Sequence, residues 1–206
     1  AISSAASDVY KRQVEGSLAK SKVEIFFDYI KVGFEHIIPK GWDHIVFVLG
    51  LFFFSNKLRP LIWQISAFTI AHTVTLALGS LGYVKIVPEI VEPLIALSIV
   101  FIAVENIFIR NLSKWRPLVI FVFGLLHGLG FASVLGEFGL PSGFFTPALL
   151  GFNVGVEFGQ LTVVLLAFIF IGYWFNSKNY YSNSIAKPIS AIIGLVGAYW
   201  FIERII

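Results

Sequence analysis

The chain contains no cysteine and no methionine among its 206 residues. Disulfide bonds are therefore excluded, and so are the thiolate and thioether ligands that favour Cu(I). Any bound metal must be held by imidazole, carboxylate, amide or hydroxyl groups. Charge is scarce as well, because only 13% of the residues are charged, against roughly a quarter in typical globular proteins. The net charge of +3 lies in the polar joints, so we expect no nucleic-acid-binding surface.

Hydrophobic residues make up 57% of the chain. Several runs reach about 18 residues with few or no charges, which is typical of transmembrane helices. The pattern predicts an all-α polytopic membrane protein. The first predicted span is short, so it must tilt, thin the bilayer or begin inside a polar cavity. The six predicted spans are residues 42–56, 60–81, 87–109, 117–136, 145–174 and 185–202.

Two further segments precede the transmembrane domain, which we place at residues 41–206. Residues 1–22 are polar and begin with small residues, as expected after removal of a signal peptide. Residues 23–40 carry apolar residues at helical spacing between charges, which predicts an amphipathic helix lying at the membrane interface. Basic residues in alternate short joints orient the bundle, with those joints in the cytoplasm and both termini outside. They are Lys57, Arg59, Arg110, Lys114, Arg116, Lys178 and Lys187.

Three of the four histidines lie within or at the edge of apolar segments. His44 begins the first span, while His72 and His127 lie deep inside the second and fourth. At a rise of 1.5 Å per residue, the two deep residues are roughly 15–18 Å from the inner ends of their spans. Ionisable groups at this depth are costly and indicate function. Any one histidine alone would more simply hydrogen-bond a helix carbonyl, whereas the three together predict a metal or proton site.

Acidic and amide residues complete the predicted centre. Asp43 and Glu157 are predicted metal ligands beside the three histidines, and Glu157 shares one helical face with Asn153 and Gln160. We expect His36 at the wet interface, with membership of the centre as the alternative. The supporting residues are His36, Glu92, Asn153, Gln160, Glu105 and Asn106, of which Glu105 and Asn106 either line an exit path or pair with Arg110.

Five motifs occur in order along the chain: Gly41-Trp-Asp-His44, Ala67-Phe-Thr-Ile-Ala-His72, Glu105-Asn106, Leu126-His-Gly-Leu-Gly-Phe-Ala132 and Phe152-Asn-Val-Gly-Val-Glu-Phe-Gly-Gln160. Over about residues 33–175, this ordered set resembles the HupE/UreJ family of bacterial membrane proteins. The family's first signature, a histidine, a short gap and Gly-x-Asp-His, is similar to His36 through His44, with a gap of four rather than five. The second, Phe-His-Gly-x-x-x-Gly-x-Glu, is divided here between His127-Gly128 and Gly155-Val-Glu157, which resembles a divergent branch.

The resemblance implies uptake of nickel, and sometimes cobalt, for hydrogenase and urease, in the bacterial inner membrane. The leading hypothesis is therefore a permease for a divalent cation of the Ni²⁺ or Co²⁺ type. No Gly-rich phosphate loop occurs, so gradient coupling or simple facilitation is expected rather than ATP. One alternative is a membrane-embedded zinc hydrolase with a lipid or membrane-anchored substrate and Glu157 or Asp43 as general base. Another is a metal-binding accessory subunit of a larger membrane complex. The glycines Gly151, Gly155 and Gly159 favour close helix packing or a homo-oligomer.

Overall fold

The computed structural model describes residues 21–54, 57–109, 114–138, 143–175 and 180–206, and all regular secondary structure in these ranges is helical. The predicted all-α membrane-type fold is thereby confirmed. Residues 1–20 of the polar segment, and Arg110 and Lys178 of the basic joints, lie outside the described residues. The helices are α1 (Lys22–Ile37), α2 (Trp42–Phe54), α3 (Leu58–Ser80), α4 (Pro88–Phe108), α5 (Arg116–Phe138), α6 (Phe145–Phe175) and α7 (Ser182–Glu203).

Four of these helices, α3, α4, α6 and α7, are each long and apolar enough to cross a membrane. Helices α1 and α2 pass the same test only together, as a pair bent by 74°. Helix α5 is apolar over the shorter stretch Arg116–Ala132. Length and composition thus support four spans in the described chain, or five with the bent pair. The predicted total of six also requires the shorter apolar stretch of α5 to cross.

Helix α1 begins and ends where local chemistry requires it. Ser21 forms a capping box with Glu24: its hydroxyl accepts from the Glu24 N–H at 3.2 Å, and the Glu24 carboxylate accepts from the Ser21 N–H at 2.7 Å. Ile38 is extended, as the residue before a proline prefers, and it ends the helix. The helix predicted within residues 23–40 is present as Lys22–Ile37, while its position at the membrane interface stays a prediction.

Helix α1 packs lengthwise along α6 through the predicted glycine face. A side chain on Gly151 would overlap the carbonyl of Phe26, and one on Gly155 would overlap the carbonyl of Ile30. These contacts advance together along both helices, so α1 and α6 run parallel. Helix α1 of the same chain therefore covers the glycine face of α6, so this face is not available as a homodimer interface.

Two other close pairs complete the bundle. Helices α3 and α5 run parallel, with Gly124 against the Phe68 carbonyl and Gly128 against the His72 carbonyl. Helices α4 and α7 run antiparallel, with Gly197 packed against Ile99 and the carbonyl of Ala96. Small residues at these crossings let the backbones approach closely.

Helix α2 lies in the middle of the bundle, and its buried side chains, among them Phe47 and Phe52, form part of the core. Its 13 residues span only about 20 Å. It begins beside His72 and His127, halfway along the 23-residue helices α3 and α5. Asp43 and His44, which begin the first predicted span, therefore lie at the level of the deep histidines and not at an end of the bundle. The bend between α1 and α2 lies at this same level.

Candidate metal centre

The break between α1 and α2 brings two histidines together. His36 lies in the last turn of α1 and His44 in the first turn of α2, with ring centroids 5.0 Å apart. Gly41 is required in this break, since a side chain there would press on the carbonyl of His36. The Gly41 N–H also donates to the Ile37 carbonyl at 3.0 Å. The helix break therefore delivers two imidazoles from one short stretch of chain.

Helices α3 and α5 supply the other two imidazoles. The ring centroid of His44 lies 5.7 Å from that of His72 and 4.8 Å from that of His127. His36 lies 6.2 Å from His72. His44, His72 and His127 are buried and His36 is partly buried. All four histidines of the chain thus form one cluster, including His36, which sequence reasoning had placed at the wet interface.

Two groups of donor atoms converge in this histidine cluster. One contains His36, His44 and His72, and the other contains Asp43, His44 and His127. Within each group, one donor atom per residue lies within 4.8 Å of the others. An ion bonded at about 2.1 Å to each nitrogen needs donor pairs within roughly 4.2 Å. Both groups therefore need only small side-chain movements to hold one ion, and His44 belongs to both.

Hydrogen bonds set the ring orientation of His44. Its Nδ1 lies 3.0 Å from Oδ1 of Asp43, which is an acceptor when ionised. Nδ1 then carries the proton and Nε2 presents a lone pair. This Nε2 is buried and has no protein partner among the described residues. A carboxylate that orients a ligating histidine in this way also raises the basicity of the ligand.

The same reasoning applies to His72. The Asn153 Nδ2 donates to the Leu149 carbonyl at 2.8 Å, so the amide oxygen faces His72 Nδ1 at 3.2 Å. His72 therefore donates from Nδ1. Its Nε2 is likewise buried and unpartnered within the described part of the chain.

His127 has the opposite orientation. The Ser98 hydroxyl donates to the Ile95 carbonyl at 2.6 Å, so its oxygen accepts from Nε2 of His127 at 3.2 Å. The free atom is then Nδ1, which is buried without a partner in the described residues, as is Nε2 of His36. Leaving buried polar atoms unpaired is costly. The cluster is therefore arranged to bind an electron-pair acceptor, which is what a metal ion is.

A cavity of about 160 Å³ leads away from the histidine cluster. It is lined by His36, Asp43, His44 and His127 at one end, and by Glu92 and Arg204 at the other. Arg204 donates to the Glu92 carbonyl at 3.0 Å. The Glu92 side chain is 52% exposed, so it lies at the mouth of this cavity. Sequence reasoning missed Arg204, which follows α7 and lies 112 residues from its partner.

The opposite end of the bundle is closed by a buried ion pair. Arg116 Nη1 lies 2.9 Å from Glu105 Oε2, and the guanidinium carbon lies 3.7 Å from the Phe54 ring centroid. The arginine side chain is 1% exposed, so it does not belong to a solvated basic joint as predicted. Asn106 donates to the Gly50 carbonyl at 2.8 Å and lines a cavity of about 350 Å³ at this end.

Glu157 and Gln160 lie apart from the two converging groups. The Ser66 hydroxyl donates to Glu157 Oε1 at 2.6 Å, and the Thr69 hydroxyl lies 3.1 Å from Gln160 Oε1. Glu157 and Asn153 line a groove between α3 and α6 with a volume of about 240 Å³. Of the predicted ligands, the structure brings together Asp43, His44, His72 and His127, adds His36, and leaves Glu157 outside.

Comparisons with known proteins agree with the resemblance seen in the motifs. A family model described as "HupE / UreJ protein" matches residues 12–204, which is nearly the whole chain. No curated protein and no solved structure matches the chain.

Proposed function

This chain belongs to the HupE/UreJ family, and we propose that it binds a divalent transition-metal ion of the Ni²⁺ or Co²⁺ type in the histidine cluster and conducts it across the membrane. The family is associated with the transport of such metals. The observation that carries the proposal is the set of four buried nitrogens, one on each histidine, that have no partner in the described part of the chain. In His44, His72 and His127, the other ring nitrogen carries the proton and donates a hydrogen bond, so the unpartnered nitrogen presents a lone pair.

The donor types suit the proposed cargo. Imidazole nitrogen, with a carboxylate nearby, matches borderline divalent ions such as Ni²⁺, Co²⁺ and Zn²⁺. Oxygen-preferring ions such as Mg²⁺ are disfavoured by the same set. We therefore propose His36, His44, His72 and His127 as ligands, with Asp43 either orienting His44 or binding the ion directly in the second group.

The cavities support a transport role. The cavity with Glu92 at its mouth reaches the histidine cluster, so a hydrated cation meets a carboxylate before it meets imidazole. Beyond the cluster, Phe47 and Leu51 of α2 are buried and fill the interior. The Arg116–Glu105 pair and Asn106 lie further on, beside the second cavity. The arrangement corresponds to a site open toward one side and closed toward the other, and the topology predicted from the basic joints makes the open side external.

Uptake into proteoliposomes tests this function. Purified wild-type protein is reconstituted, and entry of Ni²⁺ and Co²⁺ is followed with a trapped metal-sensitive dye. A His72→Ala/His127→Ala variant removes one ligand from each group. Thr162→Val on α6 is the control, since that hydroxyl donates to the Phe158 carbonyl of the same helix and is in neither group. We expect uptake by wild type and control and none by the double variant. Equal uptake by all three would refute the proposal.

A membrane-embedded zinc hydrolase is the second candidate. It is favoured by the group His36, His44 and His72, because three imidazoles with an open position are the ligand set of many catalytic zinc sites. Elemental analysis after mild chelation separates the two functions. Zinc retained near one ion per chain and lost in the double variant supports the hydrolase, whereas a site that empties and refills with nickel or cobalt supports transport.

A further inference from the structure

We propose that the groove between α3 and α6 is a second cation site, separate from the histidine cluster, which binds Na⁺ through oxygen ligands. The groove has a volume of about 240 Å³ and is lined by Thr69, Thr73, Asn153 and Glu157, with Leu150, Val154 and Phe158 forming its apolar parts. Ser66 reaches the same carboxylate at 2.6 Å.

The carboxylate of Glu157 needs a counter-charge. It stands near the middle of α6, a helix long and apolar enough to cross a membrane. An ionised group at such depth is costly without a partner. No lysine or arginine of the described chain lines the groove. A bound monovalent cation supplies the missing charge without requiring any residue from elsewhere.

The hydroxyl oxygens of Thr69 and Thr73, which line the groove with Glu157, can act as acceptors. The Thr73 hydroxyl donates to the Thr69 carbonyl at 2.7 Å, and the Thr69 hydroxyl donates to the Ile65 carbonyl at 3.2 Å or to the Gln160 side chain at 3.1 Å. Their hydrogens are thereby used within the protein, and their oxygen lone pairs remain. The groove offers carboxylate, hydroxyl and amide oxygens and no imidazole, which is the ligand type of a hard cation rather than of nickel or cobalt.

Asn153 connects the groove with the histidine cluster. Its amide oxygen faces Nδ1 of His72 at 3.2 Å, while the same side chain lines the groove. A cation that draws on this oxygen weakens the hydrogen bond that orients His72, and with it the affinity of the histidine for a metal. Binding of Na⁺ and binding of the transition metal therefore oppose each other. This coupling rests on the proposed function, whereas the Na⁺ site itself does not.

Equilibrium binding of ²²Na⁺ to the purified protein tests the site. We expect saturable binding that an excess of unlabelled Na⁺ displaces and an equal excess of K⁺ does not. Glu157→Gln should weaken binding by more than roughly tenfold, since even changes behind the ligands cost about 10- to 100-fold in metal affinity. Thr73→Val should weaken it less, and Thr162→Val should leave it unchanged. Absence of saturable binding in the wild type would overturn the proposal, as would equal binding by wild type and Glu157→Gln.

Titration of the purified protein with Co²⁺ at fixed pH tests the coupling. Na⁺ should weaken Co²⁺ binding several-fold where equal concentrations of K⁺ or choline do not, and Glu157→Gln should lose this effect while still binding Co²⁺ in Na⁺-free buffer. Equal Co²⁺ affinity of the wild type in Na⁺ and in K⁺ would overturn the coupling and leave the metal-transport function standing. Absence of Co²⁺ binding in the wild type would instead refute the proposed function.

Discussion

Replacing His44 with alanine should weaken metal binding more than replacing any other histidine, because His44 alone belongs to both converging groups. His36→Ala leaves the group Asp43, His44 and His127 complete, and His127→Ala leaves the other group complete. Changes behind the ligands already cost about 10- to 100-fold in affinity. Loss of a ligand shared by both groups should therefore cost at least about 100-fold, or about 2.7 kcal/mol.

Metal-dependent thermal unfolding measures this difference. A metal concentration of 100 times the wild-type Kd stabilises the folded wild type by about 2.7 kcal/mol. At the same concentration, a variant that binds 100-fold more weakly gains only about 0.4 kcal/mol. His36→Ala and His127→Ala should fall between these values. His44→Gln serves as a second variant that retains polar volume, and metal-free unfolding of each variant shows whether the fold is intact.

The reasoning fails if His44→Ala is stabilised by metal as strongly as His36→Ala or His127→Ala. That result would mean that the two groups do not depend on their common member, and that the ion binds elsewhere in the cluster.

Further predictions concern the surroundings of the histidine cluster and the packing of α1. Asn153→Leu removes the acceptor for Nδ1 of His72 and should weaken Co²⁺ binding by about 10- to 100-fold, measured by visible absorption titration; unchanged affinity would show that the hydrogen bond does not orient the ring. Glu105→Gln leaves Arg116 buried without its counter-charge and should lower the free energy of unfolding by about 3–5 kcal/mol, measured by denaturant titration in detergent; replacing both residues with leucine should recover much of this loss. Gly155→Leu forces a side chain into the backbone of α1 and should abolish a disulfide cross-link engineered between α1 and α6. A cross-link that forms equally well in this variant would show that α1 does not pack along α6 at this glycine.

The sequence correctly predicted the all-α fold, and it singled out Asp43, His44, His72 and His127, which converge in the structure. Long apolar runs have few structural solutions in a membrane, because every backbone polar group must be hydrogen-bonded internally. The cost of an ionisable group at depth likewise marked His72 and His127 without any tertiary information. The motifs from His36 to Gln160 also led to the family that the family model confirms.

Three-dimensional packing decided which of these residues meet. His36 is only eight residues before His44, and its spacing suited an interfacial helix equally well. The 74° break at 38–41 determines that both rings point into one cluster. Arg116 also could not be placed from the sequence. An arginine at a helix end is expected in a solvated joint, and only the structure shows that the Glu105 carboxylate lies within reach of it.

Glu157 separates most clearly what the sequence determined from what the structure decided. Its helical spacing from Asn153 correctly predicted a polar face on α6, since residues four apart lie on the same side of a helix. Spacing along one helix does not state which neighbour that face meets. Parallel packing of α3 and α5 and of α1 and α6, set by backbone contact at glycines, places the carboxylate beside Ser66 in the groove and the four imidazoles together in the cluster. Composition and periodicity therefore determined the chemistry available within the helices, and the helix crossings decided how these residues divide between the histidine cluster and the groove.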